Sequence, residues 1–192
     1  FFVLLVFSGL SYVAAPMFFS YDKSDIEKMI CKNQNIECLI NGKIYYGFLP
    51  TPEIIIKDLI IKDFVDKNKT FAKVDKTTIK LSLANLLETK KQSFKKIELK
   101  DFIINFNLQN IKKYQNFEVK KSSFIPLTLV KGKIAFFDNE NYVATINNVK
   151  LNLVLGKKIN ELVLKGKFLD DDIYINADNK QTDNNPSINI KL

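Results

Sequence analysis

The residues that could carry chemistry in this sequence are few. The chain of 192 residues has no histidine, and none of its 29 basic residues is an arginine. Histidine is the commonest general base and a frequent metal ligand, whereas arginine is the best bidentate reader of phosphate and guanine. The glycine-rich and nucleophile motifs GxGxxG, P-loop and GxSxG are also missing from the sequence. We therefore predict a protein that is not an enzyme and that uses no cofactor.

One acidic run could bind a metal in principle. Asp170, Asp171 and Asp172 follow one another and offer the oxygen ligands that Ca²⁺ prefers. The run lacks the glycine and the distal glutamate of a calcium-binding EF-hand loop. We therefore interpret it as a turn between two strands, and the sequence predicts no catalytic residue, cofactor site or metal site.

The two cysteines, Cys31 and Cys38, leave two alternatives open. They belong to no metal-binding motif by their spacing. If the domain is exported, they could form a disulfide; otherwise they are small buried apolar residues.

The lysines give the chain a formal net charge of +8 and an isoelectric point near 9.3. They are spread along the sequence in short pairs such as Lys95-Lys96, Lys112-Lys113 and Lys157-Lys158. This distribution is typical of a solvated strand face and of protected strand edges, so we expect no nucleic acid partner. A weak attraction to anionic lipid headgroups would use the same charges.

The stretch from Lys95 to Leu108 shows the pattern that organises the chain. Its apolar residues alternate in two phases, first Ile97 and Leu99, then Phe102, Ile104, Phe106 and Leu108. Strict two-residue alternation is typical of a strand with one apolar and one polar face. The phase switches across Lys100 and Asp101, where a bulge or tight turn would keep all the apolar side chains on one side.

Two other segments repeat this pattern, Ile56–Ile61 upstream and Ile146–Leu151 downstream. Asp58, Asp101 and Asn148 take equivalent places in the three segments. The spacing predicts repeated strand units in an elongated β-architecture.

The N-terminal segment Phe1–Phe19 contains no charge. Its length is sufficient to cross a hydrocarbon core of about 30 Å as a helix. A cleaved signal peptide is the alternative, but cutting after Ala15 would place Pro16 directly behind the cut, so we favour an uncut membrane anchor over residues 1–20. The anchor residues singled out are Phe1, Leu4, Leu5, Val6, Leu10, Val13 and Phe18.

Residues 21–50 are predicted to form a short helix and a small strand pair. Ser24 and Glu27 have the spacing of a capping box at the start of a helix over Asp22–Asn33. Asn41-Gly42 separates two β-prone runs, which is a hairpin signal.

Residues 51–192 are almost entirely strand-like. We predict a mainly β fold, in which the membrane helix and the short helix precede an elongated, curled, groove-like antiparallel sheet that is truncated in this fragment. No later amphipathic helix is long enough to cover some ten strands, so the apolar face either packs on itself or curls around lipid. The positions predicted to be core or lipid-facing are Ile97, Leu99, Phe102, Ile104, Phe106, Ile134, Phe136, Leu151 and Leu153.

The succession of these elements resembles the N-terminal region of the AsmA family of membrane-anchored bacterial envelope proteins. The resemblance covers about residues 1–108. The matching segments, in order, are the uncharged span Phe1–Phe19, the helix Ser24–Asn33, the strands within Ile36–Phe48, the proline-flanked Leu49-Pro50-Thr51-Pro52 leading into Ile54–Leu59, and the strands Phe71–Leu83 and Phe94–Phe102.

The resemblance implies a single-pass protein of the bacterial inner membrane with its β-domain in the periplasm. It implies phospholipid as the partner, sheltered or transported between the envelope membranes, and a contribution to outer-membrane biogenesis. The alternative is a periplasmic scaffold that assists the outer-membrane assembly machinery without carrying lipid.

Overall fold

The computed structural model describes residues 2–31, 35–88, 92–115, 125–155, 159–180 and 187–191. These residues form one large β-sheet preceded by short helices. Phe1, the end of the helix predicted to reach Asn33, the predicted turn at residues 156–158 and most of the predicted loop at 178–186 lie outside the described residues.

The N-terminal part is helical. Helix α1 spans Phe2–Ala14 and continues as a 3₁₀ helix over Ala15–Phe18, and helix α2 spans Lys23–Ile30. The predicted Ser24 cap is wrong, because the N-cap is Asp22, whose carboxylate accepts a hydrogen bond from the Asp25 amide at 3.2 Å. A negative side chain there also complements the positive end of the helix.

The strands follow the N-terminal helices along the chain. Their bounds are β1 Cys38–Ile40, β2 Ile44–Gly47, β3 Glu53–Lys62, β4 Thr70–Leu81, β5 Phe94–Asn107, β6 Leu127–Asp138, β7 Asn141–Leu155, β8 Ile159–Phe168, β9 Asp171–Lys180 and β10 Ser187–Lys191. The spatial order is β1-β3-β4-β5-β6-β7-β8-β9-β10, with β2 also pairing with β3. The sheet is open and mostly antiparallel, which confirms the mainly β prediction.

One strand pair departs from the predicted antiparallel arrangement. Strands β5 and β6 are parallel, with Ile97 opposite Leu127 and Phe106 opposite Phe136. A parallel pair needs a connection that returns to the same end of the sheet. This connection contains a 3₁₀ turn over Leu108–Asn110 and helix α3 over Ile111–Gln115. Its polar sequence carries no apolar period that would have revealed a crossover.

The predicted hairpin at Asn41-Gly42 is wrong. Strands β1 and β2 both pair with β3, so they act as one edge strand interrupted opposite Asp58. The Asn41 amide donates to the Asp58 carbonyl at 3.0 Å across this interruption. A Cβ at Gly42 would lie 2.6 Å from the Lys57 carbonyl oxygen, so glycine is needed here for close backbone approach rather than for a turn.

A line of backbone irregularities crosses the sheet, and we call it the crease. Four of its residues, Asp58, Asp101, Lys131 and Asn148, have φ values of 51°, 55°, 59° and 50°. They lie at corresponding positions along β3, β5, β6 and β7. At these positions the pairing between adjacent strands skips a residue or shifts in register. The predicted bulge at Asp101, and its equivalence with Asp58 and Asn148, are thereby confirmed.

The crease keeps apolar side chains on one face of long strands. On β5, Leu99 before the crease and Phe102 after it are both buried, at 7% and 2% exposure. On β6 the buried apolar residue before the crease is Leu129, whereas Val130 is only half-buried. The side chains on the two sides of the crease therefore join one continuous apolar cluster.

Candidate functional site

The apolar face of the sheet is the candidate functional surface. The nine positions predicted from sequence lie on three adjacent strands, β5, β6 and β7. Register brings them together in rows: Leu99 pairs with Leu129, which pairs with Leu151, and Ile104 pairs with Ile134. Each row places apolar side chains from neighbouring strands side by side.

Burial is uneven over this face. Leu99 and Phe102 are buried. The other seven predicted positions are only half-buried: Ile97, Ile104, Phe106, Ile134, Phe136, Leu151 and Leu153. Water is thus excluded from the centre of the face near the crease, while apolar surface on either side of it stays accessible.

The apolar cluster is most completely covered where β3 and β4 approach the N-terminal helices, a region we call the helix end. Ile26 of α2 is 3% exposed and Leu86 of the loop after β4 is fully buried. The neighbouring strand residues Ile54, Ile56 and Ile79 are also fully buried. Helix α2 and this loop therefore cap one end of the apolar face.

An aromatic cluster lies at the opposite end. Its members are Phe64, Phe71, Phe106, Tyr114 and Phe136, with ring centroids of successive neighbours between 4.7 and 6.2 Å apart. Such tilted and edge-on ring pairs are stabilising beyond their buried area. The sequence pattern does not predict this cluster, because Tyr114 lies in the polar connection between β5 and β6.

Tyr114 is fixed by a hydrogen bond to a buried carboxylate. Its hydroxyl donates to Asp63 Oδ2 at 2.7 Å, and Asp63 Oδ1 accepts from the Val65 amide at 2.7 Å. Burial and the Asp63 carboxylate raise the pKa of Tyr114 to about 12. The pair ties helix α3 to the turn after β3.

Helix α1 exposes its apolar side chains on all sides. Leu4, Leu5, Val6 and Leu10 are exposed, and Phe18 in the following 3₁₀ helix is 90% exposed. Val13 is half-buried near the sheet, where its carbonyl accepts a hydrogen bond from the Tyr46 hydroxyl at 2.7 Å. Phe1, the remaining predicted anchor residue, lies outside the described residues.

A helix that crosses a bilayer needs a sufficient length and a sufficiently apolar sequence. Among the described residues, neither helical segment meets the requirement by itself. Phe2–Phe18 and Lys23–Ile30 meet it together, but they are bent by 106° relative to each other.

The cysteines form a disulfide, the first of the two alternatives that the sequence left open. Cys31 Sγ and Cys38 Sγ are 2.03 Å apart, and the bond joins the end of α2 to β1. Cys31 is also buried, at 4% exposure. The disulfide therefore holds the covering helix α2 against the sheet.

The acidic run lies where the sequence placed it, at a turn. Leu169 and Asp170 have φ values of 50° and 70° between β8 and β9, and Asp172 lies 3.7 Å from the Lys167 ammonium. Within the described ranges, no group of three or more His, Cys, Asp or Glu side chains is arranged to hold a metal ion.

The face opposite the apolar one is rich in lysine. Lys57, Lys76 and Lys100 are aligned across β3, β4 and β5, and Lys150 lies opposite Lys165 on β7 and β8. Asp58 and Asp101 follow two of these lysines directly in the sequence. The arrangement is that of a solvated polar face.

No protein-family model, curated protein or solved structure matches this chain.

Proposed function

We propose that this chain is an AsmA-type protein, anchored in the bacterial inner membrane, whose β-domain shelters or transports phospholipid in the periplasm and so supports outer-membrane biogenesis. The observation that carries the proposal is the half-buried apolar surface on β5, β6 and β7. On β5 and β6, Ile104 lies beside Ile134 and Phe106 lies beside Phe136, and all four side chains remain partly accessible.

An acyl chain is the ligand that this surface fits best. Burying a methylene group is favourable by about 0.8 kcal/mol. A lipid tail lying across several half-buried side chains is therefore stabilised in proportion to the apolar area that it covers. The polar lysine-rich face would stay in water. The side chains that form these rows on β5, β6 and β7 are apolar, so selectivity for one headgroup is not expected from them.

Two features support the proposed location. The exposed apolar circumference of α1 is unfavourable in water and is accommodated by a bilayer. The Cys31–Cys38 disulfide is a bond typical of oxidising compartments such as the periplasm. Both features agree with an anchor in the inner membrane and a domain outside the cytoplasm.

The proposal is tested by lipid extraction and native mass spectrometry of the full chain purified in detergent. We expect phospholipid to co-purify with the protein. Phe106→Asp should lower the amount of bound lipid, because it places a charge on the apolar face. Ile103→Asp is the matched control, since Ile103 is the 37% exposed residue on the opposite face of the same strand. Absence of phospholipid from the unsubstituted protein would contradict the proposal.

The second candidate is a periplasmic scaffold for outer-membrane assembly that carries no lipid. The complete burial of Val149 and the 2% exposure of Phe102 favour it, because they show tight packing at the crease. If the whole apolar face packs in this way, Phe106→Asp buries an unpaired carboxylate and destabilises the fold by about 2–7 kcal/mol. A folded Phe106→Asp variant that has lost its lipid would instead favour the lipid-binding function.

A further inference from the structure

Five large apolar side chains are exposed around the base of α1, and we call them the rim. They belong to three separate segments: the 3₁₀ helix after α1, the loop after β2 and the loop after β4. Their exposed fractions are 54% for Met17, 90% for Phe18, 75% for Leu49, 50% for Leu83 and 46% for Leu87.

Two tyrosine hydrogen bonds attach α1 to the segments that carry the rim. The Tyr12 hydroxyl donates to the carbonyl of Leu83 at 2.6 Å. The Tyr46 hydroxyl donates to the carbonyl of Val13 at 2.7 Å, and Leu49 follows Tyr46 closely in the sequence, just after the end of β2. Pro16 is buried in the 3₁₀ helix that contacts β2. The rim therefore surrounds the point at which α1 leaves the sheet.

Two hydrogen bonds hold the described part of the loop after β4, which carries two of the exposed leucines. The Ser82 amide donates to the Ser93 carbonyl at 2.8 Å and closes the loop at its base. The Gln92 side-chain amide donates to the Leu86 carbonyl at 2.7 Å, and Leu86 is fully buried. With Leu86 directed into the core, its neighbour Leu87 is directed outwards.

We propose that the rim lies in the headgroup and upper acyl region of the same bilayer that holds α1, so that the helix end of the sheet rests on the membrane surface. This inference rests on the proposed function, because it takes α1 as a membrane anchor. Its basis is continuity: the exposed apolar surface of α1 passes directly into Met17 and Phe18, and the two tyrosine hydrogen bonds hold Leu49 and Leu83 beside it.

The bilayer surface is the occupant that the arrangement favours. A contiguous apolar patch on a protein surface is unfavourable in water, and an interface of lipid headgroups accommodates single apolar side chains from several segments without a complementary shape. Contact there would also bring the nearest apolar rows of the sheet, at Ile97 and Leu127, close to the source of lipid.

The test uses the full chain in nanodiscs of phosphatidylethanolamine and phosphatidylglycerol. A single cysteine is introduced at position 5, 49, 87 or 169 and labelled with the environment-sensitive dye NBD under non-reducing conditions, which keep Cys31 and Cys38 oxidised. Leu169 is the matched control, because it is 78% exposed and lies at the opposite end of the sheet. Circular dichroism checks that each labelled protein is folded.

The rim proposal predicts blue-shifted NBD emission, about twofold brighter than that of the control, at positions 49 and 87. Quenchers attached to lipid should reduce this emission, whereas the emission at position 169 should match that of the dye in water. A membrane-like signal at position 5 with water-like signals at 49 and 87 would overturn the rim and leave the anchor standing. Water-like signals at all four positions would contradict the anchor itself, and with it the proposed function. A blue shift at 49 and 87 without quenching by lipid would show that the dye packs against protein rather than lipid, and would overturn the proposal.

Discussion

Replacing Gly132 by alanine tests whether the crease determines the packing of the apolar face. A Cβ on Gly132 would lie 2.3 Å from two ring carbons of Phe102, far inside ordinary van der Waals contact. Phe102 is 2% exposed in the centre of the apolar cluster, so its ring has little room to move. The added methyl group therefore has to displace a tightly packed ring.

The expected cost follows from two opposing effects. Overpacking a close-packed core by one methyl group usually costs about 1–3 kcal/mol. Alanine in a strand otherwise regains roughly 0.5–1 kcal/mol relative to glycine, because it loses less conformational entropy on folding. We expect Gly132→Ala to lower the free energy of unfolding by about 1–2 kcal/mol, measured by urea denaturation followed by circular dichroism.

Gly47→Ala is the matched control. A Cβ on Gly47 would have its nearest neighbour at 3.6 Å, an ordinary contact, so this variant should be as stable as the unsubstituted protein or slightly more stable. Phe102→Leu should relieve the strain of Gly132→Ala, so the double variant should be more stable than the sum of the single effects implies. A Gly132→Ala protein of unchanged stability, or strictly additive effects in the double variant, would refute the reasoning.

Three further perturbations follow from the structure. Asn148→Ala should lower the unfolding free energy by about 1–2 kcal/mol, and Asn148→Gly should not, because the backbone there has a φ of 50°; equal melting temperatures would contradict this. Tyr114→Phe should be destabilised by about 1–3 kcal/mol in urea denaturation at neutral pH, because Asp63 loses its buried donor. The folded-state pKa of Tyr114 is raised from 10.0 to about 12, so the stability that this shift provides is present below pH 10 and is lost as the pH rises through 12. Thermal melts across that range should show a smaller loss for Tyr114→Phe than for the unsubstituted protein. Reducing the bond between Cys31 and Cys38 should lower the unfolding free energy by about 2–3 kcal/mol, and a melting temperature insensitive to reductant would argue against the bond.

The features that sequence predicted correctly are local. A change in side-chain alternation at Asp101 is visible within a single strand, so the bulge and its equivalents at Asp58 and Asn148 could be inferred from the repeat. The fourth member, Lys131, was missed, because lysine rarely adopts a positive φ. The local sequence feature that marks the irregularity at Lys131 is the next residue, Gly132, which leaves space for the Phe102 ring.

The features that sequence did not predict depend on distant partners. Asn41-Gly42 has the composition of a hairpin turn, but the long strand β3 offers pairing sites to both of its neighbours, so the two residues span a bulge instead. The parallel pairing of β5 and β6 is set by the path of a polar connection. Which apolar positions are buried also depends on what covers them: Leu99 and Phe106 alternate alike in sequence but differ in burial.

Photo-crosslinking in cells tests the central claim most directly. A benzoylphenylalanine residue replaces either Phe106, on the half-buried apolar face, or Ile103, on the opposite face of the same strand. After irradiation, the purified protein is analysed by mass spectrometry for covalently attached phospholipid. Our account predicts phospholipid adducts at position 106 and none at position 103. Adducts missing from position 106, or equally frequent at both positions, would contradict it.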